Sequence, residues 1–439
     1  MEEQLANATN IASEVYYYLT VPLMVIIHAG FLAYEMGATR MKNVLASGMK
    51  NILAFAFMVP TFYLFGWFVY WAFPNGLIPN AENIETAIAY ANPIGEVMGP
   101  HLGDHATGVF WAAFTMFAAT TASIFSGAVI ERIRIGAFVM LAILLGSFAW
   151  VVAAAWGWHA GGWLVTKWGY HDFGAAGVVH MVAGFFALGV LINLGPRWGK
   201  FNADGSANDI PGHNMPMTLV GLMLIIVGFF GFLMACLLYP SVYSGTSDWG
   251  TIYATPMTLS SLGFNILMGF AGGIIGAWIF TRDPFWMMSG ALAGIIACAA
   301  GLDVWWPPMA FFLGFVGGAI LKPSARFFEN LGIDDAVGAV TVHGTVGLFG
   351  VLAVGIFASG YGGLLDDGAV QTSFIGQLIG AGCMFALGFF PGYILSLIFK
   401  LMGILRVPHN VEIAGLDPVK VPAMAYPEGI PVSPSPHHH

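Results

Sequence analysis

Eleven stretches of this chain stay apolar for roughly the 20 residues that a helix needs to cross a bilayer core of about 30 Å. They lie near 16–37, 50–73, 106–130, 135–157, 172–195, 213–238, 256–281, 285–301, 306–322, 337–359 and 372–400, the run at 285–301 being the shortest. Strands of a membrane barrel would be shorter and would alternate in polarity, so helices are the reading. Of the 439 residues only 8% are charged, against about 25% in soluble domains, and 58% are hydrophobic. Too little polar surface exists to cover a soluble fold of this size. A soluble enzyme is therefore excluded, as is a disordered chain. A net charge of −9 without a basic patch excludes a nucleic-acid binder. Cys236, Cys298 and Cys383 all sit in apolar runs and form no CxxC pair, so neither a disulfide framework nor a metal site is expected. No phosphate-binding loop or nucleophile–base pair appears, and no cofactor is expected. The fold class expected is an all-α integral membrane protein, embedded in the lipid bilayer.

Charge alternates along the connections. Arg40, Lys42 and Lys50 follow the first run, Arg132 and Arg134 the third, Arg197 and Lys200 the fifth, Arg282 the seventh, Lys322 and Arg326 the ninth. Lys400, Arg406 and Lys420 follow the eleventh. The intervening loops hold Lys167 and the carboxylates Glu82, Glu85, Glu96, Asp104, Asp248, Asp303, Asp366 and Asp367. The positive-inside rule then puts the N-terminus outside and the C-terminus inside, with eleven spans rather than ten, in a cell's inner (plasma) membrane. The expected division is residues 1–15 outside, a membrane domain over 16–400, and a cytoplasmic region or linker over 401–436. His437, His438 and His439 read as the start of an affinity tag, and the preceding IPVSPSP as a linker beyond which a signalling domain was removed.

Two segments repeat one another. DFGAAGVVHMVAG opens the fifth run at Asp172 and carries His180; DAVGAVTVHGTVG opens the tenth at Asp335 and carries His343. Both read D-x7-H-x3-G. Five runs separate them, so the two segments travel in opposite directions. That pattern marks an inverted repeat of five spans over about 16–195 and 213–359, with 372–400 left over. Eight helical residues descend about 12 Å, which sets both histidines near the bilayer midplane. Ionisable groups at that depth usually line a path. Apart from these histidines and Asp172, the runs show no intramembrane charge cluster, so neither a metal-ion cage nor a carboxylate proton relay is expected. A small cation able to shed its charge, such as ammonium, fits better. An apolar lumen disfavours its charged form, and neutral imidazoles can donate to and accept from the neutral one.

At this point the chain resembles the Amt/Mep/Rh family of ammonium transporters. The likeness is carried by GAVIERIR, DFGAAGVVHM, GHNMPMTLVG, GFFGF, DDAVG with VHGTVG, and LRVPHNVEIAGLD…AYPEG, over residues from about 15 to 427. The resemblance implies eleven spans, an external N-terminus, a homotrimer and one pore per protomer. It places His180 and His343 on the family's twin pore histidines, and Phe117 and Phe232 on its two stacked gating phenylalanines. Asp172 falls on a structural aspartate that caps a helix and orients carbonyls near the outer ammonium site.

Departures from the family pattern cluster at that site. Ala160 stands where a Trp is usual, leaving Trp158 or Trp163 to supply an aromatic face from a shifted position. Cys236 replaces a Ser, Leu233 an Asn and Gly338 an Asp, and the tail lacks the usual His-Gly-Glu before Ala-Tyr. The altered capture residues and tail tilt the expectation narrowly toward an ammonium sensor serving a fused or separate cytoplasmic signalling domain. A conducting ammonium transporter is the alternative.

Overall fold

The computed structural model describes residues 2–95, 98, 105–240, 249–360 and 370–427. Glu96, Asp104, Asp248, Asp366, Asp367, the IPVSPSP stretch and the terminal histidines lie outside the described residues. Among those described the chain is helical, with no β-strand beyond isolated bridges such as Ile133 with Arg406. Among the described residues ten helices are long and apolar enough to cross a membrane, running from Glu3–Ala38 to Phe374–Leu401. The run near 285–301 forms an apolar helix of 16 residues, Pro284–Ala299, which is shorter than the rest. The first helix begins at Glu2, so residues 2–15 continue in helical conformation the helix expected over 16–37.

Helix starts follow from local chemistry. Asn214 accepts from the Met217 N–H, Thr258 from Ser261 and Ser373 from Gly376. Asp283 accepts from Phe285 and Trp286, with Pro284 filling the first helical position. Each cap satisfies N–H groups that the helix itself leaves unpaired. The first helix packs along Met215–Met234, Leu259–Thr281 packs against Pro284–Ala299 and Pro307–Ala319, and Val182–Leu194 packs against Phe374–Leu401. Outward-facing Phe57, Leu64, Phe65, Phe264, Leu267 and Ile398 are exposed, as lipid contact requires.

The basic connections gather at one end of the bundle, where the C-terminal region crosses them. Val407 N–H donates to the Arg132 carbonyl at 2.9 Å and Arg134 N–H to the Leu405 carbonyl at 3.0 Å. Arg406 donates to the Leu194 carbonyl at 2.8 Å, and the Asp417 carboxylate accepts from Leu45 and Ala46 N–H at 2.9 and 2.8 Å. Beneath this region lies Asp334, held by the Arg197 guanidinium through two hydrogen bonds of 2.8 and 2.9 Å and flanked by Arg132 at 3.7 Å. Burial alone would raise the Asp334 carboxyl, but the guanidinium charges and hydrogen bonds outweigh it and hold the group well below the ordinary value of 3.8.

Removing this carboxylate strands two buried guanidinium groups. Asp334→Ala is therefore expected to cost about 3–5 kcal/mol, read as a lowered unfolding temperature at neutral pH. A depressed carboxyl stabilises the fold fully above its unfolded value of 3.8 and ceases to do so as the pH falls through its folded value. The gap between wild type and variant should thus hold down to the ordinary carboxylate range and close only in stronger acid.

Candidate functional site

The Asp172 segment folds around its carboxylate. Oδ2 accepts the N–H of Gly177 at 2.9 Å and of Val178 at 2.8 Å, with the Tyr170 hydroxyl at 3.3 Å. Asp335 does the same on its own segment, accepting from Ala339 at 2.9 Å and Val340 at 2.7 Å. Between each carboxylate and its helix stands one left-handed residue, Ala175 at φ 71° and Gly338 at φ 77°. Glycine adopts that conformation freely, which accounts for Gly338; alanine at the matching position is uncommon. Each helix then opens with a π-helical turn, Ala176–Met181 and Val340–Thr345, and each turn contains the histidine. Such turns re-aim side chains and recur at functional sites.

The last glycine of each D-x7-H-x3-G motif has a contact reason. A Cβ on Gly184 would stand 2.2 Å from the Gly344 nitrogen, and one on Gly347 would stand 2.5 Å from the Ala176 carbonyl oxygen. The two segments therefore cross at backbone contact, and their histidines meet. His180 Nδ1 and His343 Nδ1 are 3.0 Å apart, with ring centroids at 5.1 Å. One proton must lie between these nitrogens. Whichever ring carries it, two neutral rings leave one Nε2 as donor and the other as acceptor. His180 Nε2 is buried without a protein partner.

A column of rings continues from this pair. Phe232 lies over His180 at 6.0 Å and 27°, Phe117 meets Phe232 at 4.6 Å and 71°, and Trp158 meets Phe117 at 5.1 Å and 76°. The two phenylalanines are thus edge-to-face, not stacked as the resemblance implied, and both are fully buried. Edge-to-face contact sets the positive edge of one ring on the negative face of the other. Past Trp158 opens a cavity of about 70 Å³ lined by Tyr70, Phe114, Trp158, Cys236, Thr251 and Tyr253 among others. At the opposite, basic end lies a cavity of about 630 Å³ that reaches Asp335, Gly338 and Thr341.

Of the two residues weighed for the aromatic face, Trp158 lines the cavity and Trp163 does not. The Trp158 indole N–H donates to the Asp172 carbonyl at 2.6 Å, and the Trp158 carbonyl accepts from Tyr70 at 3.0 Å. Asp172 thus fixes Trp158 through its backbone and the helix start through its side chain. Its Oδ1 is buried and has no hydrogen-bond partner. Ala160 is exposed, and Trp163 packs on Trp156 at 5.3 Å, away from the cavity. Cys236 lines the cavity, but its thiol is directed to the Phe232 carbonyl at 3.4 Å.

Tyr70, Phe114, Thr251 and Tyr253 were not singled out from the sequence. Tyr70 is one aromatic within FGWFVYWAF, and Tyr253 lies in a loop outside every apolar run. The expectation of no intramembrane charge cluster is also overturned. Glu35, inside the first run, pairs with Lys50 at 3.5 Å, both buried. Their signal was a carboxylate and an ammonium on either side of one short connection, each within two turns of a helix end.

Fold and ring column together define a polytopic α-helical membrane protein with a buried histidine pair between an aromatic-lined cavity and a larger cavity at the basic end. The Ammonium Transporter Family model matches residues 15–426, and the chain belongs to that family. Ammonium transporter Amt2 of Archaeoglobus fulgidus is 31% identical over 92% of this chain and 86% of its own. Amt2 of Methanocaldococcus jannaschii is 32% identical over 96% of each. Among solved structures, a sensor Amt protein superposes with TM-score 0.78 at 25% identity, covering 94% of this chain and 98% of that one. Saccharomyces cerevisiae Mep2 superposes with TM-score 0.72 at 20% identity, over 91% of this chain and 88% of that one.

Asp172 is expected to matter through its accepting oxygen. Asp172→Ala frees two buried N–H groups and should lower stability by about 2–6 kcal/mol, since each unsatisfied donor costs about 1–3 kcal/mol. Asp172→Asn keeps an acceptor and should lose less than half of that, measured by thermal unfolding in the same detergent.

Proposed function

We propose that this protein conducts ammonium, taking the cation at the Trp158 cavity and passing the neutral molecule along the histidine pair. Trp158, held by Asp172 beside Phe117, is the observation that carries this reading. It restores the aromatic face that Ala160 removes, so the capture site is rebuilt rather than lost. A small weakly hydrated cation gains about 0.5–2 kcal/mol on such faces. Past them the buried Phe117–Phe232 contact offers no acceptor, so the first group able to take the proton is the imidazole pair, where the dry surroundings favour the neutral molecule. Neutral ammonia can then accept from one imidazole Nε2 and donate to the other.

The rest of the reading follows the charge pattern. The basic end with the C-terminal region faces the cytoplasm and the Trp158 cavity faces outside, in a cell's inner membrane. Pro284–Ala299 serves as the eighth of eleven spans, and its 16 residues reach about 24 Å. The matched caps, left-handed residues, π-turns and histidines of the two segments support a five-span inverted repeat. A homotrimer with a pore through each protomer completes the assembly, and Gly at 58 positions suits closely packed helices.

A second reading, ammonium sensing for a cytoplasmic signalling domain, has its own support. Residues 405–417 are tied to three separate connections of the membrane domain, so a shift among those helices would reach the tail. The likeness to a sensor Amt protein points the same way. Sensing requires only a difference in affinity between two states.

Growth on limiting ammonium separates the two, in cells lacking their own uptake. The wild-type chain should restore growth. His180→Leu should abolish it, and Trp158→Leu should raise the ammonium needed for half-maximal uptake about tenfold, the equivalent of about 1.4 kcal/mol. No growth, together with ammonium-dependent thermal stabilisation of the purified protein, would reject conduction and leave sensing.

A further inference from the structure

Glu35 and Lys50 form a buried ion pair that the ring column does not use. Glu35 sits three residues before the end of the first helix at Ala38, and Lys50 lies in the second helix, Val44–Thr61. Their side chains are 1% and 4% exposed. Asn51 donates to Glu35 Oε2 at 2.8 Å, and the Ser126 hydroxyl donates to Glu35 Oε1. Lys50 donates to the Ser126 carbonyl at 2.5 Å and lies 5.3 Å over the Phe138 ring. Burying two charges in a membrane helix bundle is costly even when they are paired, and such groups usually serve a path.

A small cavity lies beside His343. Its volume is about 20 Å³, and it is lined by Tyr34, Glu35, Ser289 and His343, among apolar neighbours. That is room for about one water, and these four supply the polar partners such a water needs. Gly127 keeps the space open: a Cβ there would stand 2.4 Å from Val337 and 3.5 Å from Glu35 Oε1. Among the described residues no other carboxylate lines this cavity; Asp335 borders the larger cavity at the basic end. Lys50 faces Glu35 from the second helix, and the charges of Glu131 and Arg132 act on Lys50 from the connection beyond.

We propose that Glu35 is the proton acceptor beneath the histidine pair, receiving through one water the proton that ammonium gives up. The inference rests on the ammonium reading above. An N–H bond of ammonium breaks and leaves neutral ammonia. The imidazole pair takes that proton at one nitrogen and releases one from His343 to the cavity water. The water in turn forms the O–H bond of a Glu35 carboxylic acid, so one proton leaves ammonium for each one that reaches Glu35. Lys50 keeps the unloaded carboxylate charged and ready to accept. Ammonia and proton thereby part at the histidine pair, the proton toward the first helix's end and ammonia toward the larger cavity at Gly338 and Thr341.

Infrared difference spectroscopy tests this without requiring flux. Purified full-length protein in lipid is recorded with ammonium and with sodium. Wild type should gain a protonated-carboxyl C=O stretch together with changes in the imidazole ring bands. Glu35→Gln should lose the carboxyl band and keep the imidazole changes. The double variant Glu35→Gln/Lys50→Gln, which leaves no unpaired buried charge, should do the same if the single one fails to fold. Lys50→Gln should show the carboxyl band already in sodium, because the carboxylate has lost its cation. A carboxyl band that survives in the double variant, or imidazole changes without any carboxyl band in wild type, would overturn the role of Glu35 while leaving ammonium recognition standing. Spectra with no ammonium-induced change at all would overturn both.

Discussion

The hydrogen bond between two imidazoles sets the terms for everything around it. At 3.0 Å the two Nδ1 atoms can share one proton but not hold two, so the pair cannot carry two positive charges in that geometry. Keeping the rings there requires two chain segments, 163 residues apart, to cross at backbone contact. That crossing needs the motif glycines, and the ring directions need the π-turns. The turns in turn hang from Asp172 and Asp335, whose carboxylates take up the N–H groups that an irregular helix start leaves open. Each step up from the imidazole pair is thus a condition for the step before it.

Much of that chain of conditions was legible in the sequence. The D-x7-H-x3-G match located both carboxylates, both histidines and both crossing glycines before any geometry was known. Hydropathy located the helices because a bilayer demands long uninterrupted apolar runs. The π-turns were not legible, since no residue type marks an extra residue in a turn. The edge-to-face setting of Phe117 and Phe232 was likewise hidden, because ring angle is decided by packing from several helices. Trp158 was one of two candidate replacements at the mouth. Its selection depended on the carbonyl of Asp172, a backbone contact that sequence spacing does not encode.

Glu35 and Lys50 show a different limit. A charge near the end of an apolar run reads as the start of the polar connection, and Lys50 was counted with the basic loop. What moved both inside is the shortness of that connection. The first helix ends at Ala38 and the second begins at Val44, so the two helices lie antiparallel and their ends are level. Glu35 and Lys50 then face each other one layer below the surface, where Asn51 and Ser126 complete the carboxylate's hydrogen bonds.

Under the proposed conduction, passage of a neutral molecule and disposal of its proton make opposite demands on the lining. Ammonia needs a narrow passage with matched donor and acceptor, which two neutral imidazoles provide and a fixed charge would spoil by binding water. A proton needs an acceptor whose ionised form survives burial, which an unpaired carboxylate does not. Placing the carboxylate one water away from the rings, and pairing it with Lys50, meets both demands at once. The lumen would stay free of fixed charge, while the desolvation cost of Glu35 is reduced by its ion pair and two hydrogen bonds rather than by the passage itself. A carboxylate set directly among the rings would have to choose between holding its proton and holding the cation, and in either case it would close the route for the neutral molecule.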